Sequence, residues 1–210
     1  MQKKLAVIIL NWNGVDLLKK FIPTAVKYTS GPEVDLIVAD NGSTDGSIEW
    51  LQKEYPSLSL IKFTENYGFA EGYNRAIELT HYPFTILLNS DVEVTENWWQ
   101  PLLAFMEQNP KVGAVQPKIK SYQNKEYFEY AGAAGGYLDS LGYPYCRGRI
   151  LDKLEKDTGQ YDGVPADVCW ASGASLCVRT DLYLKLGGLD PSFFAHMEEI
   201  DLCCRMLAAG

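Results

Sequence analysis

What most constrains this chain is a rhythm of short apolar runs separated by longer amphipathic stretches. The runs are "LAVIIL" (5–10), "VDLIVAD" (34–40), "LSLIKF" (58–63) and "FTILLN" (84–89). A strand with one wet face alternates apolar and polar residues; runs that are almost continuously apolar belong to strands buried on both faces. Helical stretches follow each run, at Val15 to Tyr28, Gly46 to Tyr55, Ala70 to Leu79 and Asn97 to Gln108. Strand, helix, strand in this order predicts βαβ units and a doubly wound, mostly parallel sheet, an α/β fold. A further strand is expected at "VGAVQPKI" (112–119). Ser43-Thr44-Asp45 and Thr95-Glu96-Asn97 are expected helix caps, because their side-chain oxygens can accept from the first free N–H groups.

The second half is patterned differently. From Tyr122 to Tyr161, Gly and Tyr are frequent and helical periodicity fades, which predicts hairpins or a long surface excursion. Order returns at "VCWASGASLCVR" (168–179), a strand-like run broken by Gly173, then a short helix from Asp181 to Leu186. Gly187-Gly188-Leu189-Asp190-Pro191 turns the chain toward a last helix from about Met197. We expect one domain over 1–210, divided into halves at 119/120. The chain stops at "LAAG", where a natural domain seldom ends, so a shortened form of a longer chain is expected.

Composition excludes several function classes. The 27 acids outnumber 19 bases, and nucleic acid binding needs clustered Lys and Arg, so no nucleic-acid partner is expected. A polyanionic ligand then requires a metal ion or backbone N–H groups to bind. Five cysteines, an odd number without a CxxC pair, predict reduced core thiols and a cytoplasmic protein, with the cytoplasmic face of a membrane as the alternative site. No run approaches the ~18 apolar residues of a membrane span, so no transmembrane segment is expected.

Four polar loops fall just beyond the ends of the first four strands. They are Asn11-Trp12-Asn13-Gly14, Asp40 to Asp45, Asn66 to Asn74, and Asn89-Ser90-Asp91. Singly, each reads as a turn or a helix cap. Together they are a ligand crevice, because a doubly wound sheet gathers the loops at its carboxyl edge.

The set "VIILNWNG", "VADNGSTDGS", "NYGFAEGYNRAI", "LLNSDVEV", "SGASLCVR" and "FFAHMEEIDLCCR" resembles the family 2 glycosyltransferases, inverting enzymes of the GT-A fold, and especially their rhamnosyltransferase-like members. The resemblance spans nearly the whole chain. It implies nucleotide-sugar contacts at Asn11, Trp12, Asn13, Asp40, Asn66, Gly68, Gly72, Asn74, Asn89, Ser90 and Asp91. Asn89-Ser90-Asp91 stands where the family has DXD, so Asp91 is the implied ligand of Mg²⁺ or Mn²⁺; its first carboxylate is Asn here, and Glu93 is poorly placed to replace it. The acceptor side is implied at Trp170, Ser172 and Gly173, although Trp170 reads equally well as core. Glu199, with Glu198 as its competitor, is the implied general base; a helix would put Glu199 on one face with Cys203, Met206 and Leu207. Asp201 and Arg205 are spaced to pair.

The implied activity is transfer of a sugar from a UDP- or dTDP-sugar to a saccharide or lipid-linked saccharide acceptor, with inversion. A nucleotidyltransferase is the enzymatic alternative, though that class carries a basic Gly-rich loop after the first strand and "NWNGVDLLKK" has Gly14 alone. A non-catalytic nucleotide-sugar or glycan-binding module is the other.

Overall fold

The computed structural model describes residues 3–193 and 196–210, so Phe194 and Ala195 of the "FFAHMEEIDLCCR" motif lie outside the described residues. The first half runs β1 (Leu5–Asn11), α1 (Val15–Tyr28), β2 (Val34–Asp40), α2 (Ser47–Glu54), β3 (Ser59–Lys62), α3 (Phe69–Glu78), β4 (Phe84–Asn89), α4 (Gln100–Gln108) and β5 (Ala114–Val115). Four short strands follow, β6 (Gly136–Leu138), β7 (Pro144–Cys146), β8 (Arg149–Ile150) and β9 (Lys153–Leu154). The chain ends with β10 (Ser175–Arg179), α5 (Thr180–Lys185) and α6 (Glu198–Ala209).

Six strands form the central sheet in the order β3-β2-β1-β4-β10-β5. β1 is parallel to both neighbours, with Ile8 opposite Ile37 on one side and Leu87 on the other. Strand periodicity then sorts its side chains. Ala6 and Ile8 enter one apolar layer with α3, α5 and α6, while Leu5, Val7 and Ile9 enter the other with α1, α2 and α4. Both layers are dry, which is why β1 shows no polar alternation; each such large side chain contributes roughly 1.5–3 kcal/mol by burial.

β10 enters antiparallel to β4, with Ser175 opposite Leu88. That reversal sets its preceding loop against the carboxyl end of β4, where the Asn89 N–H donates to the Ala174 carbonyl at 3.0 Å. The strand-like run at 168–179 is thereby corrected: its part in the central sheet is confined to Ser175–Arg179, and ahead of it Trp170 makes only an isolated bridge to Gly136 before the loop at Gly173. β5 likewise shrinks from the expected 112–119 to Ala114–Val115, since it pairs only with the short β10. α4 begins at Gln100 rather than Asn97, whose φ of +58° is incompatible with a helix. The expected cap at Thr95 to Asn97 is therefore absent. Asp45 does serve α2, its Oδ1 accepting from the Ser47 N–H at 3.0 Å.

Above the sheet, residues 120–165 form the expected hairpins, β6 with β7 and β8 with β9. An ion-pair staple holds them down. Asp157, with its side chain buried, accepts from Lys118 at 2.9 Å and Lys120 at 3.0 Å, and Lys118 also reaches Asp162 at 2.6 Å. No described helix is long and apolar enough to cross a membrane.

Candidate active site

The carboxyl edge of β1, β2 and α3 is stitched together by side-chain amides. Asn11 is buried at the end of β1 and donates from Nδ2 to Asp40 Oδ2 at 2.9 Å and to Ser43 Oγ at 3.1 Å. Asp40 is 0% exposed, and its second oxygen accepts from the Ser43 N–H at 2.9 Å. Ser43 Oγ also accepts from the Asn13 N–H, and Asn13 Oδ1 accepts from the Thr44 N–H at 2.8 Å. Asn13 sits at φ +48°, a left-handed geometry that Asn tolerates well. Trp12 is 56% exposed on the rim of this loop. Asp40 thus anchors the loop that surrounds the crevice.

Two neighbours that sequence reading left as loop residues complete the cradle. Asn41 is buried; its Nδ2 donates to Asn66 Oδ1 and to the Gly68 carbonyl, each at 2.9 Å, and its Oδ1 accepts from the Tyr67 N–H at 3.0 Å. Gly42 has φ +74°, and a Cβ there would come 2.6 Å from the Glu65 carbonyl carbon. Neither contact is local in sequence, so no spacing announces it. Gly72 packs α3 closely against Asn41 and Leu10, where a Cβ would come 3.0 Å from each side chain.

Asn74 is placed elsewhere. Its amide donates to the Leu189 carbonyl at 2.8 Å and accepts from Tyr183 Oη at 2.6 Å and the Leu189 N–H at 3.0 Å. With both side-chain polar atoms engaged there, Asn74 clamps the turn after α5, away from the loops at Asn11 and Asp40.

Asn89, Ser90 and Asp91 leave β4 and emerge increasingly exposed, with Asp91 in solvent. Glu93 is held by Lys125 at 2.6 Å. No group of three or more His, Cys, Asp or Glu side chains suited to a metal ion occurs among the described residues. Asp91, exposed just past the end of β4 and adjacent in sequence to Asn89 and Ser90, is a hard oxygen donor of the kind Mg²⁺ and Mn²⁺ take one or two at a time.

Opposite this edge stands Glu199, in the first turn of α6 and half-buried over Gly173, whose missing Cβ lies 3.8 Å from the glutamate stem. Burial raises its carboxyl above the ordinary range, the adjacent Glu198 charge adds to the rise, and the Glu199 and Gly173 N–H groups partly offset it. Cys203 and Met206 share its buried side, but Leu207 is 61% exposed, so the inward face of α6 is narrower than expected. Glu198 is buried, with Oε2 lacking a hydrogen-bond partner among the described residues. The Asp201–Arg205 pair forms at 2.6 Å, and Arg205 also donates to the Leu186 and Gly188 carbonyls at 2.7 Å.

The acceptor-side residues need one correction. Trp170 is 4% exposed, with its ring pressed against Gly136 and Nε1 donating to the Tyr137 carbonyl at 3.2 Å, so the core reading holds and no ring face is free to stack on a sugar. Ser172 is buried too, its N–H bonded to Gln116 Oε1 at 2.6 Å. It shapes the loop that brings Gly173 beneath Glu199.

Comparison with known proteins identifies the family of this domain. The family model described as "Glycosyl transferase family 2" matches residues 6–165. The chain belongs to that family. Its glycosyltransferase domain is 27% identical over 225 residues to the N-acetylglucosaminyl-diphospho-decaprenol L-rhamnosyltransferase of Mycobacterium tuberculosis, an alignment covering 100% of this chain and 72% of that one. The mannosyltransferase PcManGT of Pyrobaculum calidifontis, solved with GDP-Man and Mn²⁺, superposes with a TM-score of 0.68 at 16% identity, covering 100% of this chain and 53% of that chain. GalNAc-T7, solved with UDP, GalNAc and Mn²⁺, superposes with a TM-score of 0.74 at 15% identity, covering 99% and 40%. The family 2 domain thus has the GT-A fold, and spans about half or less of these solved chains.

Proposed function

We propose that this domain transfers a sugar, with inversion, from a nucleoside-diphosphate sugar to a hydroxyl of a saccharide or lipid-linked saccharide in glycan biosynthesis. Residues 1–119 hold the donor and 120–210 the acceptor and base. The observation that carries the reading is the placement of Glu199 over Gly173, on the loop hydrogen-bonded to the end of β4 from which Asp91 projects. A proton acceptor and a donor-phosphate anchor then flank one space.

In this reading Asn11, Asp40 and Asn41 hold the donor loops in one shape, Asn13 and Trp12 form the rim, and Gly68 leads α3 with its N-terminus toward the phosphates. Asp91, with Asn89 and Ser90, would hold Mg²⁺ or Mn²⁺, which supplies positive charge to the diphosphate. Glu199 takes the acceptor hydroxyl's proton as its oxygen bonds to the anomeric carbon and the bond to the diphosphate breaks on the opposite face. One displacement inverts that carbon. The raised carboxyl makes Glu199 a stronger base than an exposed glutamate.

The donor in this reading is a UDP- or dTDP-sugar, its base lying against the loop that the buried Asp40, with both carboxylate oxygens bonded, holds in shape. The lipid-linked acceptor is supported by the activity named for the Mycobacterium relative. Five free thiols support a cytoplasmic setting, at or near the membrane face.

Screening nucleotide-sugars by thermal shift, with and without Mn²⁺, tests the donor half. A pyrimidine-diphosphate sugar is expected to raise the melting temperature only with metal, since selective binding to the native state stabilises it. Should no nucleotide-sugar shift the protein under either condition, the donor reading fails.

A further inference from the structure

The helix that carries Glu199 starts without a local anchor. Met197 at its N-cap makes no side-chain capping bond among the described residues, and His196 and Met197 hold φ values of +71° and +79°. Consecutive side-chain-bearing residues in the left-handed region store strain, which persists only where the surrounding structure holds them. What fixes the first turn of α6 therefore lies elsewhere in the fold.

Arg205 supplies that hold. Its Nε and Nη2 donate to Asp201 Oδ2 at 2.8 and 2.6 Å, gripping the first turn, where Glu199 also stands. The same guanidinium donates from Nη1 to the Leu186 carbonyl and from Nη2 to the Gly188 carbonyl, each at 2.7 Å. One flat side chain thus joins the start of α6 to the turn after α5. From α3, Asn74 grips that turn as well. It bonds both the N–H and the carbonyl of Leu189, and Gly188 lies too close to Asn74 Oδ1 for any side chain there. The preceding residue, the fully buried Tyr73, donates from Oη to the Leu88 carbonyl at 2.9 Å, one residue before Asn89-Ser90-Asp91. A continuous path therefore runs from the strand end that carries Asp91, through α3 and the turn at 186–189, to the helix that carries Glu199.

We infer that Arg205 is a positioning residue for sugar transfer: it locks α6 to the turn that Asn74 holds on α3, and so sets Glu199 relative to the donor side. The inference rests on the sugar-transfer reading above. Arg205 acts through Asp201 and the turn, not on the reacting atoms. A misplacement of about 1 Å can lower a rate ~10²-fold, so the tie matters even at two turns' distance. Lysine is no substitute, because it lacks the planar fork that serves several oxygens at once.

Carbon-13 NMR of glutamate-labelled protein, with the Glu199 signal assigned by its loss in Glu199→Gln, reads the carboxyl's surroundings without a substrate. Burial raises that carboxyl first and the Glu198 charge adds to it, while the Glu199 and Gly173 N–H groups and His196 oppose them. In Arg205→Ala and Arg205→Lys the Glu199 titration is expected to move down toward that of an exposed glutamate, because a loosened first turn lets water in. Calorimetry should find Mn²⁺-dependent UDP binding as in wild type. Turnover of UDP-glucose and dTDP-rhamnose with methyl glycoside acceptors should fall at least about tenfold in kcat with the donor KM unchanged. Should the Arg205 variants not fold, Asp201→Ala, which leaves Arg205 on the turn but frees the first turn, is expected to show the same downward shift and decides alone. An unmoved Glu199 titration in the folded variants overturns the inference, as does a loss of UDP binding in step with turnover, the mark of general loosening. If Glu199→Gln turns over donor as wild type does, it is the sugar-transfer reading that falls; if Glu199→Gln is inactive and Arg205→Lys matches wild type, the positioning role alone falls.

Discussion

At the scale of single residues, the proposed chemistry turns on two carboxylates in opposite surroundings. Asp91 lies in solvent, where the proposal has it share a cation with phosphate, whereas Glu199 is half-buried and holds its proton more tightly than usual. Glu199→Gln is expected to leave nucleotide binding intact and to lower sugar transfer by roughly 10²–10⁴-fold, the range for a lost proton acceptor; a steady-state transfer assay checks it. Glu198→Gln, tested beside it, should retain transfer. A residue whose folded carboxyl is raised favours the folded state while protonated and disfavours it as pH rises through the raised value. Glu199→Gln should therefore melt no lower than wild type at pH 7, and the wild-type rate should fall on acidification above the pH where an exposed glutamate titrates. Asp91→Ala is expected to abolish the metal dependence of nucleoside-diphosphate binding in calorimetry. Unchanged metal dependence would remove Asp91 as the ligand.

At the scale of elements, stability and geometry depend on a few polar joints. The Asp157 carboxylate, paired with Lys118 and Lys120, is held down at about 2 by those lysines, against the cost of burial. Its contribution is present above the ordinary aspartate range and is lost as pH falls from ~4 toward ~2. Asp157→Asn should cost about 2 kcal/mol at pH 7, a charged hydrogen bond's worth, and should flatten the acid limb of a urea-denaturation series across that window. The Asn74 amide is the other joint: it binds Tyr183 and Leu189, 109 and 115 residues away along the chain. Asn74→Ala should loosen the turn ahead of α6 and lower transfer more than nucleotide binding, as separate kcat and titration measurements would show.

At the scale of the whole molecule, the sheet separates two dry layers, and its antiparallel β10 folds the second half back over the carboxyl edge of the first. The thiols fit that enclosure. Burial pushes Cys177 up to about 12 and Cys203 up to about 11, so both are poor nucleophiles. A thiol titration in denaturant, on protein prepared without reductant, is expected to count five. A reproducible count of three or one would contradict the reduced state.

The sequence by itself determined the parallel half of the sheet and the polar loops at its edge, because burial on both faces writes a strand as a continuous apolar run and turn chemistry writes the end of one. The mostly apolar run Phe84 to Leu88 before Asn89 places Asp91 at a strand mouth without any tertiary information. Only the tertiary structure decided which polar residues face the crevice. Asn41 and Asn74 look alike in sequence; one joins the loops after β2 and β3 and the other clamps a turn from the far half, since their partners are distant along the chain. Trp170 was equally open to core or surface until Gly136, 34 positions earlier, proved to lie against its ring. Local pattern records what a residue must bury, and the choice of partner is made by strands that meet only when the chain has folded.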